Sequence, residues 1–335
     1  MQDIITFGSA TWDIFLKPKK FKLLKDKKFI TGAGVCFELG SKVEVEKILF
    51  SSGGGGTNTT ATFAKQGFKV GYCGAVGEDL AGQEIINELD KLGVNTQFVF
   101  KTRQKPTNHS VVLWGVASDR TILVYRGASE ILSKEQISWQ DLKTKWLYLA
   151  PLSGKLCAVF EDIVDFAKQN KIKIAVNPGN CQLSLPKDIL YKTLKNVDIL
   201  VLNQEEASLL TKISYSKEKE IFKKLDEICP GIAIMTKGEK GVVVSDGRYL
   251  YRAKPQKQKV VDRTGAGDSF GSGFVSGFIQ TGGDIEYAIQ LGVANATACL
   301  KEVGAKNGLL TKGEEFSKVK VEKELCSKNN LCQVR

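Results

Sequence analysis

Residues 172–235 read IKIAVNPGNCQLSLPKDILYKTLKNVDILVLNQEEASLLTKISYSKEKEIFKKLDEICPGIAIM. Three short runs rich in branched apolar residues, Ile172–Val176, Ile199–Leu202 and Ile232–Met235, alternate with the amphipathic stretches Ile189–Lys195, Glu205–Leu210 and Ile221–Ile228. Nearly continuous apolar runs mark strands covered on both faces, and the stretches between them carry apolar residues at helical spacing. The same rhythm extends upstream through Ile4–Phe7, Thr59–Gln66, Lys69–Cys73, Leu80–Leu92, Trp146–Leu149 and Leu156–Gln169. This alternation predicts an α/β fold of three layers, a mostly parallel sheet with helices on both faces.

Two segments break the rhythm. Thr11–Ser51 alternates around Val35–Leu39 and Lys42–Phe50, and Pro106–Gly127 holds Ser110–Ala117 and Arg120–Tyr125 joined by Ser118-Asp119. Period-two runs with tight turns predict hairpins. The expected division is an α/β body over 1–10, 52–105 and 128–335, with a small β lid over 11–51 and 106–127. No internal repeat is present, and the Lys- and Glu-rich tail after Thr311 predicts a short helix with a frayed end.

The 335 residues are 42% hydrophobic and 25% charged, which excludes a disordered or fibrous chain. Lys and Arg number 48 against 37 Asp and Glu, a formal charge of +11, yet seven lysines fall between Lys17 and Lys28 against the single acid Asp26. Much of the excess is therefore local and reads as a solvated face. Phe21 and Phe29 give little for base stacking, and no zinc-finger spacing or RNA-binding aromatic signature occurs, so no nucleic-acid partner is expected. The eight cysteines include no C-x-x-C pair, Asp3 stands where a secretory segment would be basic, and no apolar run approaches the ~18 residues that cross a bilayer. Reduced thiols, a cytoplasmic location and no membrane contact are the expectations. The single histidine, His109, excludes a multi-histidine metal site.

In an open parallel sheet ligands sit beyond the carboxyl ends of the strands. Those ends read Gly8-Ser9-Ala10-Thr11-Trp12-Asp13, Asn177-Pro178-Gly179-Asn180, Asn203-Gln204-Glu205-Glu206 and Thr236-Lys237-Gly238-Glu239-Lys240-Gly241. The strongest local signal is Asp262-Arg263-Thr264-Gly265-Ala266-Gly267-Asp268-Ser269-Phe270, leading into a helical pattern with Phe270, Phe274 and Phe278 four apart. Small residues at a helix start leave the first backbone N–H groups open to an anion, where the helix dipole favours negative charge. An aspartate directly after such a hole fits a base taking a proton from a hydroxyl that attacks a phosphoryl group; the competing reading is a Gly-rich turn with Asp268 as cap. Gly53-Gly54-Gly55-Gly56-Thr57-Asn58 likewise has two readings, a flexible hinge or a backbone approaching a hydroxyl-rich ligand, with Asn58 projecting into the site. No G-K-[ST] follows, so it is not a P-loop, and the glycines at 265, 267, 271 and 273 do not give the dinucleotide fingerprint.

On these residues the sequence resembles the ribokinase-like (PfkB) family of small-molecule kinases, over nearly the whole chain. Asp262-x-Thr264-Gly265-Ala266-Gly267-Asp268 is similar to its C-terminal signature and Gly53-Gly54-x-Gly56-x-Asn58 to its N-terminal one. Supporting landmarks follow in order: Gly8…Asp13, Gly74-Ala75-Val76-Gly77-Glu78-Asp79-x-x-Gly82, Asn203-x-x-Glu206, Thr236-x-Gly238-x-x-Gly241, and Asn295 ahead of Gly304-Ala305. The resemblance implies transfer of the γ-phosphoryl of ATP to an alcohol. It implies Asp268 as catalytic base, Gly265, Ala266 and Gly267 as anion hole, and Asp13, Gly53, Gly54 and Asn58 on substrate hydroxyls. Asn203 and Glu206 would hold Mg²⁺ and phosphates largely through water, Thr236, Gly238, Gly241 and Asn295 would line the nucleotide, and Asp262 with Thr264 would face a monovalent cation, commonly K⁺ in the family. Two departures stand out: ribokinases proper often carry lysine where Gly55 stands, and the first lid segment is longer and more basic than usual.

A sugar kinase whose lid excludes water is the leading expectation. A nucleoside kinase comes second, with Trp12, Phe15, Phe37 or Trp114 to stack on a base, and a phosphosugar kinase would need cations such as Arg103, Lys105 and Arg120 facing the pocket. A non-catalytic sugar sensor would have no use for Asp268, and a dehydrogenase lacks its fingerprint. Exposed lid edges predict pairing between two chains as a homodimer.

Overall fold

The computed structural model describes residues 1–29, 32–116 and 119–326. In chain order its strands are β1 (Gln2–Phe7), β2 (Thr11–Pro18), β3 (Lys22–Lys25), β4 (Ala33–Cys36), β5 (Val45–Gly53), β6 (Val70–Gly77), β7 (Val99–Thr102), β8 (Asn108–Val116), β9 (Asp119–Tyr125), β10 (Thr144–Leu149), β11 (Lys173–Val176), β12 (Ile199–Asn203), β13 (Ile232–Thr236), β14 (Val242–Ser245), β15 (Tyr249–Ala253) and β16 (Val321–Leu325). The helices are α1 (Gly55–Lys65), α2 (Leu80–Lys91), α3 (Lys155–Ala158), α4 (Phe160–Gln169), α5 (Asn180–Leu183), α6 (Lys187–Leu194), α7 (Gln204–Thr211), α8 (Glu218–Ile228), α9 (Ala266–Gln280) and α10 (Ile285–Cys299).

Ten strands form one sheet in the order β16-β15-β14-β13-β12-β11-β10-β1-β6-β7. Pairing is parallel from β13 to β7 and antiparallel from β13 to β16. Successive residues point to opposite faces, as strand geometry requires. Ile5, Leu147, Ile174, Leu200 and Ala233 pack with Phe160, Ile163, Leu190, Leu210 and Phe222 of α4, α6, α7 and α8. Ile4, Tyr148, Ala175, Val201 and Ile234 pack with Phe63, Phe274 and Ile289 of α1, α9 and α10. These are the three layers expected from the alternation.

The segments that break the rhythm build a second sheet, β5-β2-β8-β9, with the β3–β4 hairpin attached as a third. β8 and β9 form the expected hairpin, although Ala117 and Ser118 lie outside the described residues; β2 and β8 pair in parallel, a link between the two lid segments that no hairpin reading contained. Within β2, Asp13 and Phe15 share the buried face.

Two expectations are corrected. The tail after Thr311 forms β16 rather than a helix: Val321–Leu325 pairs antiparallel with β15, and Glu324 is buried beneath Arg252 of β15 and Lys219 of α8. Nor are all thiols reduced, because Cys157 and Cys181 form a disulfide with Cα atoms 6.3 Å apart. They follow the adjacent parallel strands β10 and β11, and adjacency in the sheet, invisible in a spacing of 24 residues, brings them together. Among the described residues no helix is long and apolar enough to cross a membrane.

Asn295 ties the helical layer over the site. Its side chain is fully buried; Nδ2 donates to the Ser269 carbonyl of α9 at 2.8 Å and to Thr62 Oγ1 of α1 at 3.3 Å, and Oδ1 accepts from Leu310 N at 3.0 Å. Such a residue holds α1, α9 and the segment at Leu310 together. Asn295→Leu leaves the Leu310 N–H unpaired inside the protein, at about 1–3 kcal/mol for the buried orphan, and removes the bonds to Thr62 and to the Ser269 carbonyl. Urea unfolding of this variant is expected to show a lowered midpoint, and a midpoint equal to wild type contradicts the clamp.

Candidate active site

The sheet order reverses around β1: the chain runs from β1 to β6 on one side and later fills the other side from β10 outward. The crevice beyond the carboxyl ends of β1 and β10 is therefore the topological switch point, where α/β sheets bind ligands. Close backbone contact seats α1 on it. Gly54 has φ 95° and a Cβ there would lie 2.5 Å from the Ser9 carbonyl oxygen, while Gly8 and Gly56 meet so closely that a Cβ on Gly56 would stand 2.7 Å from the Gly8 backbone. The glycine run is thus a close approach rather than a hinge.

The start of α9 reaches the same place. Gly265 caps it in the left-handed region at φ 73°, with Ala305 filling the space where a Cβ would project. At Gly267 a Cβ would meet nothing within 4 Å, so the first-turn N–H groups of α9, which have no intrahelical acceptor, border open space. Between the two helix starts lies Asp268: Asn58 Nδ2 donates to its Oδ2 at 2.8 Å, and Gly55 faces its Oδ1. Burial raises the Asp268 pKa, opposed by the Asn58 hydrogen bond. The backbone around the carboxylate supplies two positive helix ends, which makes an ionised but proton-hungry group tenable there. Asn58 Oδ1 is buried without a hydrogen-bond partner.

Asp13 enters from the lid sheet. Ser110 Oγ donates to its Oδ1, and Gly53 packs so tightly that a Cβ there would overlap Oδ2. Its pKa is pushed up to about 6, chiefly by burial, against the Ser110 hydrogen bond and the charge of Lys306. Lys306 escaped notice in the sequence, where a lysine after Gly304-Ala305 reads as surface. It is buried, with Nζ 2.5 Å from Ser52 Oγ and 3.4 Å from Glu88, and burial lowers its pKa.

On the far side of Asp268, Asn203 caps α7 in a reciprocal box: its Oδ1 accepts from Glu206 N and Glu206 Oε2 accepts from Asn203 N, both at 2.8 Å. Burial raises the Glu206 pKa, with the charges of Glu205 and Asp268 adding to it against the Asn203 bond. No cluster of three metal-ligating side chains occurs among the described residues. Thr236 ends β13 beside this box with Oγ1 3.4 Å from the Leu202 carbonyl; Gly238 (φ 57°) has open space at its Cβ position, and Gly241 (φ 95°) abuts the Ala253 carbonyl. Asp262 and Thr264 are engaged within the protein. Asp262 Oδ1 accepts from Thr264 N at 3.0 Å, Thr264 Oγ1 at 2.8 Å and Arg120 Nη1 at 2.9 Å, and Oδ2 accepts from Gly304 N at 3.0 Å. The lid guanidinium thus sits where the resemblance implied a monovalent ion.

Three of the four aromatics offered for base stacking are occupied in the lid: Phe15 is buried, Trp12 stacks on Phe50 with centroids 6.4 Å apart, and Lys47 lies over Trp114; the fourth, Phe37, is exposed.

Residues 1–312 match the family described as pfkB family carbohydrate kinase. A ribokinase of Haemophilus influenzae is 28% identical over 272 residues, covering 78% of this chain and 85% of its own. Among solved structures, a ribokinase of Arabidopsis thaliana superposes with a TM-score of 0.75 at 22% identity, covering 92% of this chain and 96% of its own. A putative ribokinase II of E. coli gives 0.76 at 20% identity, with 92% and 96% covered. The signatures, the two helix starts around Asp268 and the match across the body agree: the chain belongs to the pfkB family of carbohydrate kinases, phosphotransferases that act on an alcohol group.

Proposed function

We propose that this kinase moves the γ-phosphoryl group of ATP to a hydroxyl of a small, uncharged sugar. The observation that carries this reading is the Asp268 carboxylate, bonded to Asn58 and set in the first turn of α9, whose start at Gly267 borders open space. Asp268 takes the proton of the acceptor hydroxyl, the oxygen attacks the γ-phosphorus, and ADP leaves, while the α9 N–H groups hold the equatorial oxygens. Asn58 Oδ1, buried and unpartnered, accepts a hydrogen bond from an acceptor hydroxyl, and Asp13 with the backbone of Gly53 and Gly54 lines the rest of the acceptor site. Asn203 and Glu206 fit Mg²⁺ held largely through water, because Glu206 offers a single cleft-side carboxylate already bonded through one oxygen. The ion, when bound, neutralises charge on the β- and γ-phosphates. Thr236, Gly238 and Gly241 line the nucleotide end.

Two structural neighbours support the substrate classes: the Arabidopsis ribokinase is complexed with ribose and ATP, and the E. coli protein with ATP and Mg²⁺. A neutral acceptor is favoured over a phosphosugar because the candidate cations are paired, Arg103 with Glu78 at 2.5 Å, Lys105 with Glu130 at 2.7 Å and Arg120 with Asp262 at 2.9 Å. With three of the four aromatics occupied in the lid, a nucleoside is disfavoured as well. Position 55, where ribokinases proper often carry lysine, is crowded here: a Cβ would stand 3.2 Å from Pro151 and 3.3 Å from Ala150, so the acceptor need not be ribose. The lid sheet exposes Ile48 and Phe50 on β5 and Leu123 and Val124 on β9, an apolar surface suited to a second copy.

A panel of sugars, sugar phosphates and nucleosides, scored by ADP release with ATP and Mg²⁺, tests the reading; turnover confined to phosphorylated acceptors, or ligand binding without turnover, refutes it. Asp268→Asn is expected to lower kcat by roughly 10²–10⁴-fold with little change in acceptor affinity. Near-normal turnover removes Asp268 from the base role. Because Asp13 must be ionised to accept from substrate hydroxyls, kcat/KM for the acceptor should fall as pH drops through about 6, and Asp13→Asn should lose that limb. Linkage gives the opposite sign for stability: the folded chain binds this proton more tightly than the unfolded one, so Asp13's contribution declines as pH rises from 3.8 to about 6. Sedimentation at micromolar concentration is expected to show a dimer that Phe50→Lys dissociates; a wild-type monomer excludes the lid contact.

A further inference from the structure

Asp262 opens the loop that ends in the anion hole, and its surroundings differ from an ion site. A carboxylate offers about four lone-pair directions. Here three donor groups converge on Oδ1, Thr264 N, Thr264 Oγ1 and Arg120 Nη1, and one, Gly304 N, on Oδ2. The side chains of Asp262 and Arg120 are 9% and 29% exposed, so the pair is shielded from solvent. The same loop is strapped to the end of α10, where the Leu300 carbonyl accepts from Val261 N at 2.8 Å. Arg120 is the only member of this set carried by the lid; the others belong to the body.

A guanidinium keeps its charge at every physiological pH and matches a carboxylate geometrically, whereas a monovalent ion needs oxygen ligands with unspent lone pairs. On Asp262 Oδ1 those lone pairs are spent, and the guanidinium already supplies the counter-charge to the carboxylate.

We propose that Arg120 is the built-in cation of the Asp262 loop: the lid delivers its guanidinium to Asp262, neutralises it and holds the backbone of Gly265, Ala266 and Gly267 in register, so this kinase needs no monovalent ion there. Arg120 is a positioning residue, since it acts through its bond to Asp262 on the loop. The inference rests on the kinase reading above.

The test compares wild type, Arg120→Ala and Arg120→Lys in potassium chloride and in tetramethylammonium chloride of equal ionic strength, reading ADP release and the thermal unfolding midpoint. Arg103→Ala, which breaks an exposed pair with Glu78, serves as control. Wild type is expected to be indifferent to the cation in both readouts. Arg120→Ala should lose kcat by roughly 10–10²-fold with little change in acceptor KM, the size expected when donors to a developing oxyanion drift. Potassium or millimolar guanidinium should restore part of that loss and raise the variant's unfolding midpoint, and Arg120→Lys should retain most of the activity. Potassium activation or potassium-dependent stabilisation of wild type overturns the proposal. So does an Arg120→Ala enzyme with unchanged kcat, or a loss confined to phosphorylated acceptors, which would make Arg120 a substrate ligand. If wild type releases no ADP in any salt, the kinase reading fails, and the unfolding midpoints still decide whether Arg120 excludes the ion.

Discussion

The hydrogen bond between Asn58 and Asp268, 2.8 Å long and spanning 210 residues of sequence, is the constraint on which the site depends. It exists because two helices start at one point above the sheet. α1 reaches it through glycines at 54 and 56 that let its backbone touch the Ser9 and Gly8 backbone, and α9 reaches it through the left-handed turn at Gly265. A carboxylate at that junction is removed from water but lies at the positive ends of two helix dipoles. Burial raises its proton affinity while the helix ends and Asn58 keep ionisation within reach, the balance a general base at neutral pH requires.

The small sheet contributes chemistry as well as cover. Asp13 sits at the foot of β2, held by Ser110 of β8, and the parallel pairing of these strands fuses the two lid segments into one unit. The buried group of Lys306, Ser52 and Glu88 joins the end of β5 to α2 and to the segment after Gly304. Polar groups so deeply buried are tolerable only because each is paired, and the pairing fixes where the lid meets the body.

Much of this was legible in the chain. The nearly continuous apolar runs gave the parallel strands, since strands covered on both faces have no polar side to show, and the glycines at 53–56 and 265–267 marked places where backbone must approach backbone or an anion. What stayed hidden depends on neighbours far away in sequence. β16 was read as helix because its charges, taken locally, suit either structure; Glu324 faces inward only because Arg252 and Lys219 wait there. Nothing in the sequence around Asn295 shows that its side chain closes the contact of α1, α9 and α10. Lys306 and Arg120 resemble any surface cation until the fold supplies Ser52, Glu88 and Asp262. The Cys157–Cys181 link follows strand adjacency, which composition does not encode.

The most direct measurement is a crystal structure with ADP, Mg²⁺, fluoroaluminate and the acceptor identified by turnover. The planar fluoride is predicted to lie against the N–H groups of Gly265–Gly267, with the acceptor oxygen in line on its other side and within hydrogen-bond reach of Asp268. A fluoride bound elsewhere, or an Asp268 carboxylate turned away from the acceptor while still bonded to Asn58, contradicts the account.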